Sequence, residues 1–97
     1  MIENAMMTLQ IEFFGIPRQR AGTARTSLSL PGEQTCLADA FRELALAFPG
    51  FAACCLDGQR LCPAYIVNVG GEKFVTDPDY VLRAGDSLLI MSADAGG

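Results

Sequence analysis

Thr8-Leu-Gln-Ile-Glu-Phe-Phe14 alternates, with Leu9, Ile11 and Phe13 on one side and Thr8, Gln10 and Glu12 on the other. A period of two marks a strand buried on one face. Gly15-Ile-Pro17 breaks the pattern, and Arg18–Thr23 reads as a polar loop around Gly22. Alternation resumes over Arg25–Leu30, with Thr26, Leu28 and Leu30 aligned, until Pro31-Gly32 closes it. Two such strands joined by a long loop predict an antiparallel hairpin.

The period then changes. Leu37, Phe41, Leu44, Ala45 and Phe48 recur at helical spacing, while Asp39, Arg42 and Glu43 face away. Thr35 is the expected N-cap and Pro49-Gly50 the stop, and Leu46 and Ala47 widen the apolar stripe of a helix that covers a sheet. Phe51–Cys62 reads as a loop turning at Asp57-Gly58, and Ala64–Val69 as a central strand covered on both faces. Gly70-Gly71 leads to a short edge strand over Lys73–Thr76, and Asp77–Tyr80 turns into Val81-Leu82. Arg83–Asp86 introduces Ser87–Ser92, the most apolar strand, which belongs mid-sheet and parallel to the first strand. With a right-handed crossover, this order predicts an α+β fold, a β-grasp: a mixed sheet of four to five strands packed on one main helix. A ferredoxin-like fold needs a second long helix, and Asp77–Leu82 is too short for one.

Composition narrows the function. Ninety-seven residues make one domain, which buries roughly 60–70% of its unfolded surface. At 51% apolar and 19% charged the chain is globular, and no apolar run approaches the roughly 18 residues of a membrane span. Residues 1–7 lack the pattern of a signal peptide; they are expected to be a disordered leader or extension, with the domain over 8–92 and a flexible tail over 93–97. A net charge of −4 argues against nucleic acid and suits docking on a positively charged partner. Histidine is absent, which removes the usual general base near neutral pH, so catalysis by this chain alone is not expected. Cys36, Cys54, Cys55 and Cys62 lack the spacings of zinc or iron–sulfur sites. They read as reduced, buried small hydrophobes in the cytoplasm, with no metal.

The sequence ends in Gly96-Gly97. Two glycines beside a carboxylate make a thin, flexible acyl group able to enter a channel too narrow for side chains. Ala93, Asp94 and Ala95 before them are short, and the five residues 93–97 would extend roughly 16–18 Å. Exposed apolar residues on the sheet face away from the helix are the natural docking candidates. Phe14, Ile16 and Phe74 fill that role, with core packing the alternative for each.

Together, the opening strand ending Phe13-Phe14, the Arg18–Gly22 loop, the Ala64–Val69 strand containing Asn68, and Leu82–Ile90 followed by Ala95-Gly-Gly97 resemble the ubiquitin-like sulfur carriers. The likeness covers residues 8–97 and is strongest to the small subunit of molybdopterin synthase. The thiamine-pathway carrier is similar in its Gly-Gly ending but lacks the extended loop. Where family members often carry a proline before the glycines, this chain has Met91-Ser-Ala-Asp94.

The resemblance implies that Gly97 is adenylated by an E1-like enzyme, which uses ATP, and is converted to a thiocarboxylate. The chain would bind no cofactor itself. It further implies a tail, Ala93 to Gly96, that threads into the large subunit of molybdopterin synthase, where the sulfur builds the dithiolene. Asp94 would meet a basic partner residue or stay solvated. The alternatives are a carrier for thiamine or another sulfur-containing metabolite, a ubiquitin-like protein modifier, and a plain interaction domain whose Gly-Gly ending is incidental.

Overall fold

In β1 (Met6–Phe13) alternation becomes burial: Met7, Leu9, Ile11 and Phe13 are buried and the residues between them are exposed. The structure, a computed structural model, describes residues 5–96; residues 1–4 and Gly97 lie outside the described residues. Along the chain follow α1 (Ile16–Ala21), β2 (Arg25–Pro31), β3 (Gln34–Cys36), α2 (Leu37–Ala47) and α3 (Pro49–Cys55). Next come β4 (Leu56–Asp57), β5 (Arg60–Leu61), β6 (Tyr65–Val69), β7 (Lys73–Val75), β8 (Val81–Arg83), β9 (Ser87–Ser92) and α4 (Ala93–Gly96). The main sheet has the order β2-β1-β9-β6-β7. β9 lies in the middle, parallel to β1, and every other pairing in the sheet is antiparallel. This is the α+β β-grasp arrangement.

Several local expectations change. The strand begins at Met6, not Thr8: Met6 pairs with Pro31, and Met7 pairs with Leu30 and is 1% exposed. Met6 and Met7 therefore belong to the fold, because Met7 continues the odd-numbered apolar face. Arg18–Thr23 is not all loop, since Ile16–Ala21 form a helix with Pro17 in its first turn and Gly22, at φ 82°, as its left-handed cap. Proline at the start and glycine past the end are the punctuation of a short helix.

Thr35 is not the cap of α2. It lies in β3 opposite Leu82, and the first amides of α2 find backbone partners instead: Leu37 N–H donates to the Tyr80 carbonyl and Ala38 N–H to that of Pro78. Phe51–Cys62 is not a loop either. The main helix α2 does end just before Pro49, as expected, but Pro49 also opens α3, and β4 and β5 form a hairpin turning at Gly58.

The stripe of α2 is narrower than expected. Leu37, Ala40, Phe41 and Leu44 are buried, whereas Leu46 is 75% exposed. Two residues at about 100° each put Leu46 roughly opposite Leu44 on the helix. β6 is interior to the sheet, but Tyr65 and Ile66 remain partly exposed, so it is not covered throughout on both faces. Of the cysteines only Cys55 is buried, and Cys36, Cys54 and Cys62 are half-buried.

The core joins both layers at Phe13. Its ring stands edge-on to Phe48 at 5.5 Å and tilted to Phe51 at 5.1 Å. Burying one such side chain contributes about 1.5–3 kcal/mol. The exposed Arg25–Glu12 pair, at 3.9 Å, falls in a class worth about 0–1 kcal/mol, so the apolar core decides the fold. Before β9 the chain turns at Arg83–Asp86: Gly85 takes φ 88°, and Asp86 N–H donates to the Arg83 carbonyl. A carboxylate oxygen of Asp86 accepts from the Arg83 amide at 2.8 Å. Gly85 N–H then donates to Thr8, and Gln10 N–H to Asp86, seating β9 beside β1.

Candidate functional site

The last residues of the chain leave the sheet from its central strand. Ser92 pairs with Tyr65 of β6, and the Ala93 amide donates to the Ala64 carbonyl at 2.8 Å. Ala93–Gly96 then turn once as α4, with Asp94 exposed. The tail thus starts as a helical turn and not as an extended thread. A single turn fixes several residues for one hydrogen bond and is marginal alone. Drawn out, four residues span roughly 13–14 Å, against roughly 6 Å as helix. Gly97, expected to carry the reacting carbonyl, lies outside the described residues.

Strand register assigns the open face of the sheet. One row across it runs Arg25, Glu12, Leu89, Asn68, Phe74. The next row, nearer the tail, holds Met91 opposite Ile66, with Phe14 following β1 in alternation and donating its amide to the Ile90 carbonyl. The face is therefore divided. Thr8, Gln10, Glu12, Arg25 and Ser27 make the β1–β2 side polar, and Phe14, Met91, Ile66, Leu89 and Phe74 make the other side apolar. Phe14 is 55% and Phe74 53% exposed. Two of the three expected docking residues, Phe14 and Phe74, thus share the open face. Ile16 does not join them: it opens α1, outside the sheet.

Leu89, Met91 and Ile66 were missed as surface residues because they sit in continuous apolar runs, where only the pairing partner reveals the face. A groove of about 440 Å³ lies on this face, lined by Gln10, Glu12, Arg25, Asn68, Ser87 and Leu89 among others. Asn68 is 8% exposed, and its Oδ1 has no hydrogen-bond partner among the described residues. Leaving such a buried acceptor unpaired costs about 1–3 kcal/mol. No cluster of metal-ligating side chains occurs among the described residues, and no helix there is long and apolar enough to cross a membrane.

No family model and no curated protein matches the chain. Solved structures do. Small archaeal modifier protein 1 from Haloferax volcanii is 21% identical with a TM-score of 0.75, over 93% of this chain and 99% of that one. A protein of Pyrococcus furiosus described as a candidate molybdopterin converting factor, subunit 1, is 19% identical with a TM-score of 0.72, over 89% and 97%. Urm1 from Trypanosoma brucei is 24% identical with a TM-score of 0.54, over 98% and 100%. The element order, the parallel β1–β9 pair and these likenesses agree, and the chain has the ubiquitin-like β-grasp fold of the modifier and converting-factor structures it resembles.

Proposed function

We propose that the chain is a ubiquitin-like sulfur carrier, activated at Gly97 by an E1-like adenylating enzyme and serving as the small subunit of molybdopterin synthase in the cytoplasm. The observation that carries this reading is the placement of the tail. It leaves the central strand beside the apolar half of the open face, so a partner docked on Phe14, Met91 and Phe74 receives the tail at the same time. The likeness to a converting factor subunit supports the molybdopterin assignment.

The chemistry follows from the carboxylate. With an α-carboxyl pKa of about 3.3–3.7, a C-terminal glycine is an anion at neutral pH and a poor acyl donor. A carboxylate oxygen attacks the α-phosphorus of ATP, pyrophosphate leaves, and the acyl group becomes electrophilic. A sulfur nucleophile then displaces AMP and leaves a thiocarboxylate. The sequence contains no phosphate-binding Gly-rich motif ending in Gly-Lys-Ser or Gly-Lys-Thr, so the adenylating enzyme holds the ATP. The large synthase subunit takes the tail and uses the sulfur.

A second reading, protein modifier, is favoured by the likeness to small archaeal modifier protein 1. It differs in the acceptor: a target lysine in place of a sulfur nucleophile. Pyrophosphate exchange by the adenylating enzyme, compared between the full chain and one lacking Gly97, tests activation. Dithiolene formation with the large subunit, against slower-migrating conjugates, then separates the two readings.

A further inference from the structure

α1 and α3 meet at Gly50. A β-carbon on Gly50 would lie 2.8 Å from the Arg20 carbonyl oxygen, closer than real β-carbons approach other atoms, so only glycine allows this contact without displacing backbone. The contact gathers Gln19 and Arg20 of α1 with Gly50, Ala53 and Cys54 of α3 around one open surface pocket of about 550 Å³. From the sheet, β6 supplies Tyr65, whose hydroxyl lies 3.5 Å from Cys54 Sγ.

The Tyr65 hydroxyl is in contact with that sulfur, Arg20 lines the same pocket, and Cys55 is the next residue in the chain. The Tyr65 hydrogen bond holds the Cys54 thiol below its ordinary range; partial burial opposes this, and Cys55 and Arg20 add to it. Tyr65, pushed up to about 12 chiefly by the same bond, keeps its proton and stays a donor. Cys55 is pushed up to about 12 by burial and stays a thiol. Of the adjacent pair, only Cys54 is both reachable and inclined to ionise, and the thiolate is the nucleophile.

We propose that Cys54 is a nucleophilic thiol site that exchanges with exposed disulfides, favouring those with anionic groups near the sulfur, which Arg20 receives. The Cys54 thiolate attacks one sulfur of the disulfide, a Cys54–S–S–R bond forms, and the other half leaves as R–S⁻. The disulfide itself is the oxidant, so nothing else is consumed. This site is independent of Gly97.

The test uses the reduced full chain with dithiobis-nitrobenzoate, a dianionic disulfide, and cystamine, a dicationic one, reading thiolate release and mapping the modified peptide. One fast phase is expected, mapped to Cys54, absent in Cys54→Ala and faster with the dianion. Arg20→Gln abolishes the preference for the dianion. Tyr65→Phe slows the fast phase, because losing that hydrogen bond raises the Cys54 pKa and leaves less thiolate. A urea midpoint for each variant reports its fold. Fast labelling at Cys36 or Cys62, or a Cys54 rate no greater than in the urea-unfolded chain, overturns the proposal. So does a preference for the dianion that survives Arg20→Gln in a folded variant.

Discussion

The amide of Ala93 donates to the carbonyl of Ala64 at 2.8 Å, tying the chain to the sheet at the root of the tail. Beyond it stands one turn, Ala93–Gly96, which is marginal by itself. Amide hydrogen exchange should therefore show a step: Ile90 and Met91 protected with the sheet, Asp94 and Gly96 exchanging fast. Protection of Asp94 and Gly96 equal to that of Ile90 would show the turn to be firmly held, and the tail unable to unwind into a partner.

The narrow gap between α1 and α3 makes Gly50→Ala informative. Alanine is the better helix former by about 1 kcal/mol, yet its β-carbon meets a backbone carbonyl at 2.8 Å. Overpacking of this kind costs about 1–3 kcal/mol, and a backbone atom cannot swing away as a side-chain end does. Urea denaturation should show a net loss of stability; an unchanged or raised midpoint contradicts the close approach.

Much of the fold was legible where hydrophobic periodicity was clean, and the failures have physical causes. β1 and β2 are half-buried, so their alternation exposes both strand and face. α1 has only six residues, too few for a period to show, and its signals were Pro17 and Gly22. Pro49 does end α2, but it also starts α3, because proline suits a first helical turn, and that second role left no period to read. Leu46 was placed in the stripe for its chemistry, when its angle sets it on the far side. For the site, Phe14 and Phe74 could be guessed, but Leu89, Met91 and Ile66 needed the register. Arg20, Cys54 and Tyr65 come from three separate elements, and nothing in their spacing brings them together.

Exposure separates two kinds of apolar surface residue. Leu46→Glu should change stability by no more than about 0.5 kcal/mol, as for other surface changes, whereas Phe51→Ala should cost about 3–5 kcal/mol. Phe74→Glu should fold with a loss below about 1 kcal/mol, yet raise the KM of the adenylating enzyme for the chain with kcat little changed. Equal turnover parameters for Phe74→Glu and the parent would remove the open face from partner docking.

Alkaline pH should destabilise the fold through Cys55. Burial raises its thiol from 9.0 to about 12. Below the ordinary thiol value both folded and unfolded chains hold the proton, and the stabilisation is fully present. Between those two values the unfolded chain releases the proton and the folded chain keeps it, so stability falls as pH rises. Tyr65, raised from 10.0 to about 12, acts in the same direction. Urea midpoints should drop from neutral pH into that window, and the drop should be shallower in Cys55→Ala, whatever that variant costs at neutral pH. An equal drop in both proteins contradicts the assignment to Cys55.

The central claim is that Gly97 is the working atom-bearer and the rest of the chain its handle. Intact mass after incubation with the adenylating enzyme, ATP and a sulfur donor tests this most directly. The account predicts a mass gain equal to exchange of one oxygen for sulfur, located on the C-terminal peptide and lost when Gly97 is deleted. An unchanged mass while the same enzyme and donor convert a known carrier, or a sulfur gain that persists without Gly97, would contradict it.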